Sequence, residues 1–229
     1  MLTAAEWAIV ALSLKVALAA ILLTLPVAFA LAWVLARKAF PGRMLLDTLV
    51  HLPLVLPPVV TGWLLLLFFG AEGAGGRTLQ ALFGTTLMFR WTGAALAAGI
   101  MALPLMVRAI RLSLEAVDRR LESAARTLGA SRLRAYASVT LPLALPGIGA
   151  AVVLGFARSL GEFGATITFV SNVPGETRTL PLAIYTALQV PGAEDSVTRM
   201  AIASVLLSLA ALAVSEWLVR RGGGRAHVL

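Results

Sequence analysis

Long uncharged stretches alternate with short charged ones along the whole chain. A transmembrane helix needs about 20 consecutive, mainly apolar residues, and five stretches approach or exceed that length. They are residues 16–36, 48–71, 91–107, 135–157 and 200–215, and the fourth extends to about residue 170 across Arg158 and Glu162. The pattern therefore predicts an all-α polytopic membrane protein with about five transmembrane helices, or six if a further short helix enters the bilayer.

Composition supports membrane insertion and argues against several kinds of site. Hydrophobic residues make up 59% of the chain and the mean hydropathy is +0.91, whereas soluble domains contain roughly 45–50% apolar residues. Since the chain has no cysteine, disulfides, zinc–thiolate sites and thiol nucleophiles are excluded. The two histidines, His51 and His227, are far apart in sequence. We therefore expect neither a metal nor another cofactor to bind this chain.

Basic residues are unevenly shared between alternate loops. With the N-terminus outside and the C-terminus inside, thirteen arginines and lysines fall on the cytoplasmic side and four on the outer side, as the positive-inside rule requires. The inner set is Arg37, Lys38, Arg43, Arg108, Arg111, Arg119, Arg120, Arg126, Arg132, Arg134, Arg220, Arg221 and Arg225; the outer set is Arg77, Arg90, Arg178 and Arg199. We interpret the net charge of +8 as a topology signal, and we expect no nucleic-acid partner.

The second inner-side segment, about residues 112–142, has a helical pattern of its own. Apolar residues recur at three- and four-residue steps, which predicts one helix with a single apolar face: Leu114, Val117, Leu121, Ala124 or Ala125, and Leu128. Gly129 then predicts a left-handed turn. Ser131 predicts a cap for a second helix over residues 132–139, and Leu141-Pro142 predicts the end of that second helix. A solvated connector and a docking element both fit this pattern, although an exposed apolar stripe favours docking.

The same segment resembles the EAA motif of ABC importer permeases. That motif reads Glu-Ala-Ala, three residues, Gly, nine residues, Ile-x-Leu-Pro; here Ser123-Ala124-Ala125 is followed at the same spacing by Gly129 and by residues 139–142. Ser123 replaces the glutamate, Glu122 lies one position early, and Val139 replaces isoleucine. The resemblance implies a cytoplasmic coupling helix that inserts into a cleft on an ATP-binding subunit. The implied contact residues are Glu122, Ser123, Ala124, Ala125, Arg126, Gly129, Ala130, Arg132, Leu141 and Pro142.

Two further stretches are candidates for a translocation path. HLPLVLPPVVTGW, residues 51–63, predicts either a kinked span or a broken helix that lines a pore. ARSLGEFGATITFVSN, residues 157–172, holds Arg158 and Glu162 at helical spacing, either as an internal ion pair that supports packing or as part of a gate. Glycines 155, 161 and 164 would permit close helix approach. The path and gate candidates are Thr61, Arg158, Ser159, Gly161, Glu162, Gly164, Thr166 and Thr168.

A wider resemblance covers residues 7–217 and is to the permease subunits of molybdate ABC importers. It rests on PLVLPPVVTGW, PLMVRAIRLSLEAVD, ESAARTLGAS, TLPLALPGI, ARSLGEFGATITFVSN and PGETRTLPLAIYTALQ. It implies one permease domain over residues 1–229 with a tail at 219–229, the fold of methionine- and maltose-type importers, and the bacterial inner membrane. It also implies a homodimer, two cytoplasmic ATP-binding cassette subunits that hold ATP and magnesium, and a periplasmic molybdate-binding protein. The implied cargo is molybdate, with tungstate left open beside it, and a sulfate or thiosulfate permease is the alternative.

The segment after residue 170 predicts a helix that does not span. Thr177 or Thr179, followed by Pro181, predicts a helix start, with Leu188 at its end and Pro191-Gly192 as a stop. The resemblance implies that this outer face meets the binding protein. A connector helix packed on its own subunit is the alternative.

Other classes of membrane protein explain the sequence less well. An intramembrane enzyme would need a nucleophile, base or metal cluster on facing helices, and a secondary transporter would show inverted repeats and more intramembrane carboxylates. Neither set of features is evident, and both classes leave the 112–142 segment unexplained. A P-loop motif is also absent, so the chain is not expected to hydrolyse ATP.

Overall fold

The computed structural model describes residues 2–223, and these residues are helical and contain no strand, as predicted. Four continuous helical stretches are long and apolar enough to cross a membrane: Ala4–Arg37, Trp91–Ala116, Arg132–Leu160 and Glu194–Val214. A fifth candidate span consists of two helices, Arg43–Val55 and Pro58–Phe69, that meet at an angle of 114°. The predicted number of about five spans therefore agrees with the structure when this bent pair is counted as one. Residues 224–229 of the predicted tail, with Arg225, lie outside the described residues.

The helices follow one another in this order: α1 Ala4–Arg37, α2 Arg43–Val55, α3 Pro58–Phe69, α4 Ala74–Phe83, α5 Trp91–Ala116, α6 Arg119–Thr127, α7 Arg132–Ala135, a π-helical turn Tyr136–Thr140, α8 Leu141–Leu160, α9 Gly164–Val170, α10 Leu180–Ala187 and α11 Glu194–Gly223. We call the end of the bundle at which α1 and α5 finish and α7 begins the loop end.

Two of the predicted spans are interrupted. The second is broken between Val55 and Pro58, so the kinked-helix interpretation is wrong; Leu56 is extended, as the residue before a proline prefers to be. The fourth does not continue to residue 170, because α8 ends at Leu160 and the chain turns before α9 begins at Gly164. The short turn is stabilised by Glu162, whose carboxylate accepts a hydrogen bond from the Ala165 N–H at 2.9 Å.

The 112–142 segment also departs from its prediction. The apolar stripe does not lie on one helix, because α5 ends at Ala116 and Asp118 caps α6 by accepting a hydrogen bond from the Arg120 N–H at 2.8 Å. Pro142 does not end a helix either, since the π-helical turn leads directly into α8. The wider turn changes the hydrogen-bond spacing just before the proline, where an α-helix would lose a donor and meet the ring.

Small residues bring α1, α5 and α8 into close contact at the centre of the bundle. A Cβ atom on Gly155 of α8 would lie 2.6 Å from the Met106 sulfur and 2.8 Å from a methyl of Ile21. Gly155 therefore permits a close approach that a larger residue would prevent, as predicted. Gly161 does not play this part, because the nearest atom to its added Cβ would be the Ala157 oxygen of the preceding turn, 4.0 Å away.

A buried carboxylate joins α1 to α11 at the end opposite the loop end. Glu6 is only 4% exposed, and it accepts hydrogen bonds from the Arg199 guanidinium at 2.8–3.2 Å and from the Ser196 hydroxyl at 2.7 Å. Glu6 also completes a capping box with Thr3 at the start of α1. This network connects the first and last helices of the described chain.

The non-spanning helix forms where the sequence predicts it. α10 begins after Thr179, has Pro181 in its first turn, and is followed by Gly192 in a left-handed conformation. Its first amide, Leu180 N–H, donates to the Ser13 hydroxyl of α1 at 2.8 Å. α10 is therefore packed on its own subunit along this side.

Candidate functional site

The elbow after α6 has the geometry that Gly129 predicts. Gly129 has φ +93°, and its N–H donates to Arg126 O at 3.0 Å while Ala130 N–H donates to Ala125 O at 3.1 Å. These two bonds form a Schellman motif, which satisfies carbonyls at the end of a helix. Ser131 then caps α7 by accepting a hydrogen bond from Arg134 N–H at 3.3 Å. The helix, elbow and second helix are thus fixed by backbone geometry.

Glu122 points into the bundle and attaches α6 to it. Its Oε1 lies 3.0 Å from Nη2 of Arg37, at the end of α1, and it also accepts a hydrogen bond from the Thr140 hydroxyl of the π-helical turn. Arg119 adds a second attachment, because its guanidinium donates to Ala36 O at 3.3 Å. Ser123, which occupies the glutamate position of the motif, donates only to Arg119 O within its own helix, at 3.2 Å.

The surface of the same segment that points away from the bundle is exposed and basic. Among the predicted contact residues, Ser123, Ala124, Arg126, Gly129, Arg132 and Pro142 are exposed, and Ala125, Ala130 and Leu141 are partly exposed. Leu128 is 89% exposed and Leu133 is 78% exposed. The prediction of one continuous apolar docking face is therefore wrong: Leu114 and Val117 are buried in the core, and the exposed leucines flank the elbow instead.

A groove of about 1000 Å³ lies between α1, α6 and α7. Its polar lining includes Arg37, Lys38, Arg119, Glu122, Arg126 and Arg132, so five cations face one carboxylate, and that carboxylate is already paired with Arg37. The groove is consequently a positively charged surface beside two exposed leucines. Such a surface suits a partner that carries acidic residues around an apolar pocket.

We expect Glu122→Ala to loosen α6 from the bundle without unfolding the membrane helices. The substitution removes the partner of Arg37 and of the Thr140 hydroxyl, and a lost buried partner costs about 1–3 kcal/mol. Hydrogen–deuterium exchange should become faster for the amides of residues 119–127 and stay unchanged in α8. Ser123→Ala is the matched control, since its hydroxyl contacts only its own helix; equal effects of the two variants would contradict this assignment.

The candidate path residues fall into two groups in the structure. Thr61, Gly164, Thr166 and Thr168 lie on α3 and α9, which pack closely: a Cβ on Gly164 would be 2.8 Å from the Pro58 Cβ. Sequence reasoning missed Gly62, whose added Cβ would lie 2.5 Å from Ala165 O; a glycine within the bulky run VVTGWLLLLFF was the available signal. The broken span is therefore held against α9 by glycines on both helices.

The second group surrounds the turn after α8. Arg158 and Glu162 form an ion pair within the chain at 2.7 Å, in which the Glu162 side chain is 2% exposed and that of Arg158 is 25% exposed. Glu162 lies beyond the end of α8, so the predicted shared helical face is replaced by a contact across the helix end. Ser159 is buried beside this pair.

The hydroxyls differ in what they could offer to a passing anion. The Thr168 hydroxyl is already used, because it donates to Gly164 O at 2.9 Å. The hydroxyls of Thr61 and Ser159 are buried and have no hydrogen-bond partner within residues 2–223. A buried hydroxyl without a partner costs free energy, so these two positions are the ones whose side chains remain available to a ligand, to water or to another chain.

The helical fold agrees with the importer-permease resemblance of the sequence. The sequence matches the family model of the binding-protein-dependent transport system inner membrane component over residues 25–222, and the chain belongs to this family.

Individual transport permeases are similar to this chain over most of its length. The chain is 58% identical to the "Molybdenum transport system permease protein ModB" of Escherichia coli strain K12 over 98% of both chains. It is 56% identical to the protein of the same name from Haemophilus influenzae over 92% of both chains. A "Sulfate transport system permease protein CysT" from Salmonella typhimurium is 41% identical over 80% of this chain and 64% of its own length.

Solved structures agree at the level of the fold. A chain of a bacterial alginate ABC transporter, crystallised with its alginate-bound periplasmic protein, superposes with a TM-score of 0.75 at 18% identity, covering 96% of this chain and 80% of that one. A chain of the MetNI methionine ABC transporter in inward-facing conformations gives a TM-score of 0.68 at 16% identity, covering 95% and 94%. The predicted importer-permease fold is confirmed.

Proposed function

We propose that this chain is the membrane-spanning subunit of an ATP-driven importer that passes molybdate, and also tungstate, from a periplasmic binding protein into the cytoplasm. The observation that carries the proposal is the 58% identity over 98% of the chain to a molybdenum transport permease. The sulfate alternative is weaker, because the sulfate permease is 41% identical over a shorter match. The chain supplies the conduit and binds no cofactor, while ATP and magnesium bind a separate subunit.

The 112–142 segment is, in this proposal, the contact with the ATPase. The loop end faces the cytoplasm, which puts the basic groove beside the ATP-binding subunits and the N-terminus on the periplasmic side. Arg126 and Arg132 pair with acids of the ATPase, and Leu128 and Leu133 enter its apolar pocket. Since Glu122 attaches α6 to α1 and to the start of α8, a displacement of α6 by the ATPase is transmitted to both helices.

The pathway runs along the broken span in a homodimer of this chain. The α3–α9 pair supplies the Thr61 hydroxyl, and the last turn of α8 supplies the hydroxyl of Ser159. Neutral hydroxyls suit a conduit, because a cargo that must leave should be bound weakly. Arg158 is paired with Glu162, so we assign it to positioning the turn and α9 rather than to holding the anion.

Reconstitution in liposomes tests the proposal directly. The chain is combined with its ATPase and periplasmic binding protein, and uptake of radiolabelled molybdate is followed with and without ATP. We expect ATP-dependent uptake that tungstate inhibits and excess sulfate does not. Inhibition by sulfate would favour the sulfate alternative, and failure of the ATPase to co-purify with the chain would contradict the assignment of the loop.

A further inference from the structure

One face of α5 carries a charged cleft that the candidate path residues do not include. α5 is the most buried of the four continuous candidate spans, with 67% of its apolar window inside the fold. At its loop end, however, an exposed stripe appears at helical spacing, namely Arg108, Leu112, Glu115 and Ala116. Arg108 lies eight residues before the end of the helix, about 12 Å along its axis. An exposed cation directly after the apolar stretch 91–107 is met by water or by another polar group.

α2 forms the other wall of this cleft, which has a volume of about 290 Å³. Asp47 and His51, one turn apart on α2, face Arg108, Arg111, Leu112 and Glu115 of α5. The cleft is therefore lined by the same broken span that carries Thr61. That continuity connects the α3–α9 pair with the loop end of the bundle.

One arginine of the cleft, Arg108, takes part in no ion pair within residues 2–223. Arg111 contacts both carboxylates, at 3.0 Å from Asp47 and 2.9 Å from Glu115, and Arg43 lies 3.9 Å from Glu115. Arg108 is exposed and makes no ion pair or hydrogen bond with any residue of the described chain. Arg111 and Arg43 thus share the two carboxylates, His51 Nδ1 lies 3.3 Å from Asp47 as well, and Arg108 is the cation of the cleft without a partner in the part of the chain that the structure describes.

We propose that this cleft, centred on Arg108, is a low-affinity site for a tetrahedral oxyanion at the exit of the path. A guanidinium donates two parallel hydrogen bonds to an oxyanion. The nearby carboxylates of Asp47 and Glu115 repel the same anion, so occupancy is brief, as release into the cytoplasm requires. The site rests on the proposed function for its cargo, molybdate, while the phosphate of a lipid headgroup offers the same chemistry from the bilayer.

Labelling of an introduced thiol tests the site without measuring transport. The chain has no cysteine, and Leu112 lines the cleft with 59% of its surface exposed, so Leu112→Cys places one reactive thiol beside Arg108 at a residue outside the buried core. The variant is assembled with its ATPase in phosphatidylcholine nanodiscs and labelled with a maleimide. Molybdate at twice its dissociation constant leaves a third of the sites free, so we expect labelling about threefold slower.

Matched variants test whether protection of the thiol depends on Arg108. Adding Arg108→Gln should abolish protection, whereas adding Arg120→Gln, an exposed arginine outside the cleft, should preserve it. A thiol introduced by Leu188→Cys, at a residue 67% exposed at the other end of the bundle, should be labelled at the same rate with and without molybdate. Protection that survives Arg108→Gln would overturn the proposal, as would protection by phosphatidylglycerol nanodiscs with none by free molybdate.

Failure of the site and failure of the proposed function give different results. Import of molybdate by the reconstituted wild-type transporter, together with no protection of the Leu112→Cys thiol at any molybdate concentration, would overturn the site and leave the function standing. No import by the wild-type transporter would overturn the function, and protection requiring Arg108 would then still establish an oxyanion site.

Discussion

Gly129→Pro should abolish coupled uptake while leaving the chain inserted in the membrane. Gly129 has φ +93°, whereas proline holds φ near −65° and has no N–H to donate. The bond from Gly129 N–H to Arg126 O would be lost with the left-handed turn. α6 and α7 would then no longer meet at a fixed angle, α6 would shift so that Glu122 no longer reaches Arg37 and Thr140, and movement of α6 would not reach α1 or α8.

The expected size of this effect follows from the backbone. A left-handed conformation disfavours other residues by about 1–2 kcal/mol, and the proline ring excludes it altogether, so the cost is at least of that size; each 1.4 kcal/mol is about tenfold in an equilibrium. We therefore expect uptake per ATP hydrolysed to fall by about tenfold or more. No atom lies within 4 Å of a Cβ added to Gly129, so the defect would come from backbone conformation and not from a clash.

Gly192→Pro is the control for this prediction. Gly192 has φ +84° and equally open surroundings, but it lies between α10 and α11, at the other end of the bundle. Its variant should retain coupled uptake. Normal coupling in the Gly129→Pro variant would contradict the role assigned to the elbow, whatever the behaviour of the control.

Arg158→Met should destabilise the protein more than Glu162→Gln does. The Glu162 side chain is 2% exposed and would be left charged and unpaired, and breaking a buried pair from one side costs about 3–5 kcal/mol. Since the Arg158 side chain is 25% exposed, we expect a loss of about 3 kcal/mol, at the lower end of this range. Glu162→Gln keeps an oxygen that can accept from Ala165 N–H and leaves a cation that reaches water, so its loss should be smaller.

Thermal unfolding in detergent measures which of the two variants loses more stability. The double variant Arg158→Met/Glu162→Gln removes both charges and should recover most of the stability that Arg158→Met loses. Equal losses for the two single variants, or no recovery in the double variant, would show that the pair does not stabilise the turn after α8.

The membrane spans and the elbow were predictable from the sequence because their causes are local. The length of an apolar stretch predicts a span whatever surrounds it. Four of the five predicted spans lie within, or overlap, one continuous apolar helix. Gly129 and Ser131 predict their turn and cap because both act on atoms of neighbouring residues. The prolines of residues 53–58 likewise mark the position of the break in the second span, although not its angle.

The resemblance to the EAA motif is also recognisable from the sequence alone, because the spacing of residues along the chain defines that motif. The spacing does not explain why Glu122 lies one position early in the motif. Only the tertiary structure brings Arg37, 85 positions earlier, and Thr140 to the Glu122 carboxylate. Hydrophobic periodicity carries no information about which distant charges will meet.

Packing between distant segments decided the remaining features of the sites. The contact of Gly62 with α9, the pairing of Arg111 with both Asp47 and Glu115, and the solitary position of Arg108 all depend on how helices cross. The apolar stripe of residues 114–128 was misassigned for the same reason: its first half is covered by the core and its second half is exposed. The sequence determined which segments are helices and membrane spans, while tertiary packing determined which side chains are covered, paired or left available, because those properties depend on neighbours far away in the chain.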